Sequence, residues 1–288
     1  MALQPQNAAS QRDIVRLGFE VQHNQTLGAP SGSLHHHDFY EVYLLISGSV
    51  TYCVEGQLIE LIPGDLLLIS PQELHQVFLR PDNRVYERFV LWIKPQLVKH
   101  LSSEQSALDS VLRFSRPGYR NKFCTTAEEY QYIRSLLQQL HQETTQNRFG
   151  SDLLHESLLT QILVAINRLA EDVSAIHADH PSNNITQMVD YINRHYNEPI
   201  TLDTLSELFY LSKSHISHAF KEQVGTSVYR YIIKKRLQIA RDLLAHGGKP
   251  SQVSASCGFS DYIGFYRAFK AEYGTSPREY IQSLAQDM

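Results

Sequence analysis

The chain has 288 residues, of which 42% are hydrophobic and 19% charged, with a net charge of −4. That is enough to bury a substantial core, most naturally in about two domains, and the composition excludes a disordered chain. No run of about 18 apolar residues occurs, so a membrane span is excluded as well.

The start of the chain, Met1 to Ser10, is polar and lacks the basic segment and apolar stretch of a secretory signal. Cys53, Cys124 and Cys257 are odd in number, widely spaced and without a CxxC pair, which argues against a disulfide framework or a zinc knuckle. A cytoplasmic location is therefore expected. Charge is unevenly spread: residues 183–288 carry 12 Lys/Arg against 10 Asp/Glu, and residues 1–182 carry 14 against 20. A nucleic-acid partner for the C-terminal part is compatible with this balance.

Short apolar runs separated by turn residues predict strands at Val42–Ile46, Val50–Val54, Leu58–Ile62, Leu66–Ile69, Leu74–Leu79 and Val85–Ile93. Gly48, Gly56 and Pro63-Gly64-Asp65 supply the breaks, and regular strands of this kind predict a barrel or sandwich. From about Thr126 the hydrophobic period lengthens. Ile133, Leu136, Leu137 and Leu140 fall on one helix, and Leu154, Leu158, Ile162, Ile166 and Leu169 on the next, as in a helical hairpin. Residues 171–184 lose periodicity and include His180-Pro181-Ser182-Asn183-Asn184, a turn-rich linker.

Beyond the linker the chain is helical and repeats itself. Ala219-Phe220-Lys221 and Gly225-Thr226-Ser227 recur 49 residues later as Ala268-Phe269-Lys270 and Gly274-Thr275-Ser276, and Tyr231-Ile232 recurs as Tyr280-Ile281. Each copy reads as a short helix, a turn and a second helix capped by Ser212 or Ser260. The second helices carry core stripes, Ile216, Phe220 and Val224 in one, Phe265, Phe269 and Tyr273 in the other, and end at Gly225 and Gly274. A long helix from Val228 to Ala245 joins the copies, with Ile233, Leu237, Ala240 and Leu244 as its buried stripe, and Ser276-Pro277 opens a last one.

A helix-turn-helix reads DNA with the residues of its second helix that lie off the apolar stripe. In the first copy these are Lys213, Ser214, Ser217 and His218, after Ser212; in the second they are Asp261, Tyr262, Ile263, Tyr266 and Arg267, after Ser260. Arg267 suits guanine or phosphate, His218 can donate to either, and Tyr262 or Ile263 suits a thymine methyl. Lys213, Lys221, Arg230, Lys234 and Arg278 are the expected phosphate contacts. A plain helical bundle would leave such positions merely solvated, but two copies joined by one helix favour the DNA-binding reading.

Residues 185–283 resemble the DNA-binding domain of the AraC/XylS family of regulators. The resemblance is carried by Leu211-Ser212-x-Ser214-His215-Ile216-Ser217-x-x-Phe220-Lys221, by Arg236-Leu237-x-x-Ala240-x-x-Leu243-Leu244, and by Gly258-Phe259-Ser260-Asp261-x5-Arg267-Ala268-Phe269-Lys270 with Gly274-x-Ser276-Pro277-x-x-Tyr280. Ser206 and Ser254 stand where alanines are usual, Tyr210 where the first turn often has glycine, and Gly264 and Tyr266 replace a bulkier-then-smaller pair. A left-handed backbone at Tyr210 would cost about 1–2 kcal/mol.

In the N-terminal half, His35-x-His37-x3-Glu41-x6-Gly48 and Gly64-Asp65-x5-Pro71-x3-His75 resemble the two motifs of the cupin barrel. In metal-binding cupins residues at the positions of His35, His37, Glu41 and His75 ligate one ion, and imidazole with carboxylate suits Fe, Mn, Ni or Zn. The expectation here is a metal-free polar pocket in which His35, His37, Glu41, Tyr43, His75 and Trp92 bind a small molecule, with a divalent metal as the rival occupant and no other cofactor. Alternation along the strand turns Phe39, Glu41, Tyr43 and Leu45 to one side, with His36 pointing away.

The fold class these readings imply is α+β with two domains. A cupin-like effector-binding barrel (1–125) carries a helical hairpin (126–172) that dimerises through Leu153–Leu169, the rival reading being that this stripe packs only against the barrel; a linker (173–184) leads to an all-α domain with two helix-turn-helix units (185–288). The expected function is that of a non-enzymatic transcription regulator. It binds double-stranded DNA and a polar metabolite of the sugar class, acts as a homodimer, and has RNA polymerase as a further partner. The rival readings are a cupin-type metal-dependent oxygenase or isomerase with a helical appendage, and a purely structural helical adaptor.

Overall fold

The computed structural model describes residues 12–27, 32–71, 73–79, 85–113, 119–146, 148–172 and 183–286. The chain divides into two compact units, the first made of most of residues 1–180 and the second of residues 181–288 together with the short segments Glu55–Gln57 and Leu74–Gln76. Most of the expected linker, residues 173–182, lies outside the described residues.

The first unit opens with α1 (Arg12–Leu17) and continues with β1 (Phe19–Leu27), β2 (Tyr40–Ser47), β3 (Val50–Val54), β4 (Gln57–Leu61), β5 (Asp65–Ile69), β6 (His75–Leu79) and β7 (Val85–Ile93). After α2 (Pro95–Leu101) and β8 (Lys122–Cys124) come the long helices α3 (Ala127–Gln146) and α4 (Ser151–Asp172). The strands form a five-stranded sheet in the order β1-β7-β2-β5-β8 and a three-stranded sheet in the order β4-β3-β6. Strands β1 and β8 lie at the edges of the larger sheet and were not legible in the apolar pattern. The sequence of β1, FEVQHNQTL, is largely polar, and its strand form comes from antiparallel pairing with β7 from Phe19↔Ile93 to Leu27↔Val85.

Strand β2 is buried on both faces, because the period of two sends alternate residues into two different cores. Val42 and Leu44 pack into a cluster with Ile133, Leu137, Leu158, Ile162 and Ile166 of the helical hairpin. Tyr43 and Leu45 pack into a second cluster with Val50, Tyr52, Leu61, Leu67, Ile69 and Tyr86. Sheet and hairpin therefore share one core. Thr126 and Glu129 close a capping box at the start of α3: Thr126 N–H donates to Glu129 Oε2 at 2.7 Å, and Glu129 N–H to Thr126 Oγ1 at 3.3 Å.

The second unit consists of α5 (Asn184–His195), α6 (Leu202–Phe209), α7 (Lys213–Val224), α8 (Val228–Ala245), α9 (Pro250–Ser256), α10 (Tyr262–Tyr273) and α11 (Pro277–Gln286). Local chemistry sets most of these boundaries. Asn183, Thr201, Ser212, Ser227 and Asp261 each accept a bond from a backbone N–H three residues on. Gly225 and Gly274 end α7 and α10 in the left-handed conformation. The cap of α10 is thus Asp261 and not the expected Ser260, because α10 starts 49 residues after α7 and Asp261 is the position that matches Ser212.

Leu237, Ala240 and Leu244 of α8 pack with Val253, Cys257, Phe265 and Phe269, while Ile216, Phe220 and Val224 of α7 are fully buried. Burial pushes the Cys257 thiol up to about 11, so at neutral pH it is a packing residue and no nucleophile.

Tyr210 caps α6 with φ 54° and ψ 37°, left-handed values, while its side chain is 93% exposed. The strain anticipated from the sequence is present, and the side chain returns little packing for it. Tyr210→Gly is expected to stabilise this unit by about 1 kcal/mol, the left-handed penalty less the added entropy of glycine. A shift to higher denaturant midpoint with unchanged slope in urea unfolding checks it; no shift would mean that the tyrosine ring supplies compensating contacts.

Candidate DNA interface and effector site

The two reading helices expose the residues expected of them. Lys213, Ser214, Ser217, His218 and Lys221 on α7 are exposed, as are Tyr262, Ile263, Tyr266 and Arg267 on α10 and Arg230 and Arg278 nearby in sequence on α8 and α11. The core stripes keep them there, since Ile216 and Phe220, like Phe265 and Phe269, take up the opposite side of each helix.

Several candidates have structural duties as well. Ser212 Oγ accepts the His215 N–H at 3.2 Å, and Asp261 Oδ1 accepts the Gly264 N–H at 2.7 Å. The bond from Gly264 holds the Asp261 carboxyl below its ordinary range, so it stays ionised as a cap. Ser260 Oγ donates to the same carboxylate at 3.3 Å. Lys213 pairs with Asp203, both largely exposed. Lys234 is different. It pairs with Glu272, its side chain is only 12% exposed, and it is engaged within the protein rather than held out for a phosphate.

In the N-terminal half of the chain the site is built on β2, β6 and β7. Glu41 lies opposite Trp92 in the β2–β7 pairing, and the indole Nε1–H donates to Glu41 Oε2 at 2.8 Å. His37 Nδ1 lies 2.8 Å from the carbonyl of Phe39. A carbonyl only accepts, so Nδ1 carries the proton and Nε2 is turned to Glu41 Oε2, 3.2 Å away. The Phe39 ring stacks on His37 at 4.0 Å and lies 5.3 Å from Trp92.

Donor atoms of His37, Glu41 and His75 all lie within 4.8 Å of one another. These residues fit a divalent transition metal, and the bond from His37 to a backbone carbonyl orients the ring as ligand histidines are oriented. A metal there would be held by these three side chains and would act as a Lewis acid toward a bound oxygen. His35, the fourth candidate, is not in the group; its Nδ1 is 2.8 Å from the Ser33 carbonyl.

Tyr43 corrects another expectation. It is completely buried and packs in the core, with its hydroxyl against that of Tyr86 and its ring 5.2 Å from Tyr52. Burial raises both phenols, Tyr43 and Tyr52, well above their ordinary value. Tyr86 and Arg88, whose guanidinium sits 4.2 Å over the Tyr86 ring, were missed in the sequence. They precede Trp92 in β7 at even spacing, so strand alternation places all three on one face.

A strand-built domain with a buried carboxylate ringed by imidazoles and an indole, followed by two helix-turn-helix units with exposed reading faces, defines an effector-responsive DNA-binding regulator. The comparisons agree. Residues 19–163 match the model of the AraC-like ligand binding domain and residues 205–283 that of a helix-turn-helix domain. The chain belongs to the AraC family of transcription regulators and is not an enzyme.

The chain is 25% identical over 251 residues to the HTH-type transcriptional activator RhaS of Escherichia coli O139:H28 (strain E24377A / ETEC), spanning 86% of this chain and 87% of that one. Among solved structures it is similar to ToxT from Vibrio cholerae O395, with TM-score 0.37, 11% identity and coverage of 93% of this chain and 98% of the other. It is also similar to the DNA-binding domain of AdpA in complex with a target DNA, with TM-score 0.35, 22% identity and coverage of 36% and 96%. Among the described residues no helix is long and apolar enough to cross a membrane.

Proposed function

We propose that this regulator senses a neutral polyol of the sugar class at Glu41 and acts as a cytoplasmic homodimer that works with RNA polymerase at its promoters. The observation that carries the sensing role is the buried Glu41 carboxylate, which accepts from Trp92 and faces His37 while His75 lies close by. A carboxylate offers about four acceptor positions, so sugar hydroxyls can share it with the indole, and the aromatic faces of Phe39 and Trp92 suit the apolar side of a pyranose.

Glu41→Gln keeps the shape and removes the charge. In EDTA-treated wild-type protein a panel of neutral monosaccharides is expected to contain one that raises thermal stability, by about 2.7 kcal/mol at a hundredfold excess over its Kd. The variant should lose that gain and still bind DNA. A response that vanishes on chelation and returns with an added divalent ion would replace this version with a metal-dependent one.

The dimer surface needs revision from the sequence reading. Leu158 and Ile162 are buried in the core that the hairpin shares with the sheet, so they have no free face to offer a second chain. The apolar positions left over near the start of α4 are Leu153 and Leu154, 70% and 45% exposed, and the neighbouring Phe149 is fully exposed. Leu153→Glu combined with Phe149→Ser is expected to halve the mass measured by light scattering without lowering the melting temperature. A mass that stays dimeric would place the interface elsewhere, and a monomeric wild type would remove it.

A further inference from the structure

The two reading helices carry different chemistry at matching positions. Counting 49 residues forward, Lys213, Ser214, His215 and Ser217 of α7 correspond to Tyr262, Ile263, Gly264 and Tyr266 of α10. A wholly polar face is thus replaced by two tyrosines, an isoleucine and a glycine. Ile263 is 63% exposed, Tyr262 42% and Tyr266 37%, and none of the three belongs to the core cluster under α10. Tyr262 and Tyr266 lie 6.5 Å apart ring to ring, one helical turn from each other.

Gly264 is the more telling residue. A glycine in a helix costs about 1 kcal/mol against alanine. Nothing in the fold requires it: its φ is not among the positive ones, and the atoms nearest to an added Cβ would be those of the Asp261 carboxylate, at 3.4 Å or more. At about 100° per residue it falls about 60° from Arg267 and about 100° from Ile263, on the side of α10 away from Phe265 and Phe269. The missing side chain therefore makes a notch in the outer face itself, next to an exposed arginine.

We propose that α10 reads a thymine-rich segment of its operator through the C5-methyl groups, with Ile263, Tyr262 and Tyr266 as the apolar contacts and the Gly264 notch letting the opposite edge of the groove approach the backbone beside Arg267. Arg267 supplies the adjacent guanine contact. The proposal rests on α10 lying in the major groove, as its place in the helix-turn-helix domain implies. It assigns the two halves of the operator different chemistry: methyl groups under α10, and hydrogen-bonding edges under α7.

Selection of duplexes from a randomised pool by the full-length protein gives the operator, and replacing thymine by deoxyuridine then removes methyl groups alone. Each methyl lost under α10 is expected to weaken binding about fourfold, the equivalent of one buried methylene, with no change under α7. Ile263→Ser, which copies the first helix, should abolish the difference between thymine and deoxyuridine. Gly264→Ala should raise the melting temperature and yet weaken operator binding, two effects of opposite sign that a purely structural glycine would not produce. Selected operators without thymine in one half, or equal affinity for the deoxyuridine duplex, would overturn the proposal. Failure to enrich any duplex would instead count against the groove-binding geometry on which it rests.

Discussion

Phe269→Ala is expected to destabilise the C-terminal unit by about 3–5 kcal/mol, and Phe220→Ala to do the same. Both rings are fully buried. Phe269 lies 5.6 Å from Phe265, 4.6 Å from Tyr273 and 5.9 Å from Tyr280, and Phe220 packs edge-on to Tyr231 at 5.7 Å. Truncating a ring at such a site costs about 3–5 kcal/mol, from lost burial and from the cavity left behind. A domain has only about 5–15 kcal/mol in total, so the loss takes a large share of it.

His218→Ala and Arg267→Ala should behave in the opposite way. Both side chains are exposed, so each should change folding stability by less than about 0.5 kcal/mol and weaken operator binding by about 1–3 kcal/mol. Circular dichroism melts and fluorescence anisotropy on the same four variants separate the two classes. Equal destabilisation in all four would show that the reading faces are wrongly assigned.

Operator binding is expected to fall roughly a hundredfold between about 50 and 200 mM salt, because Lys213, Lys221, Arg230 and Arg278 are four exposed cations suited to phosphates and each contact adds about 0.9 to the log–log slope. The Lys213–Asp203 pair does not prevent this, since an ion pair between exposed side chains is worth at most about 1 kcal/mol and yields to a phosphate. Lys221→Ala should reduce the slope by about 0.9. Lys234→Ala should leave the slope unchanged, because that amine is committed to Glu272. A flat salt response of the wild type would remove the phosphate assignments altogether.

How far the sequence alone reached follows from the range of the interactions involved. Helix caps, left-handed glycines and core stripes act within a few residues, so α8 was legible to the residue, and the 49-residue repeat exposed the double helix-turn-helix in the sequence itself. The set of His37, Glu41 and His75 was legible only through its resemblance to the cupin motifs, since His75 opens a different strand from the one that carries Glu41. Other assignments depended on partners far along the chain. Trp92 reaches Glu41 across 51 positions and Lys234 reaches Glu272 across 38. Only packing decided that Tyr43 belongs to the core, that His35 stands outside the ligand group, and that Leu158 and Ile162 face their own sheet. An apolar or ionisable residue on a periodic stripe announces that it needs a partner, and which surface supplies it is settled when the sheets and helices close on one another.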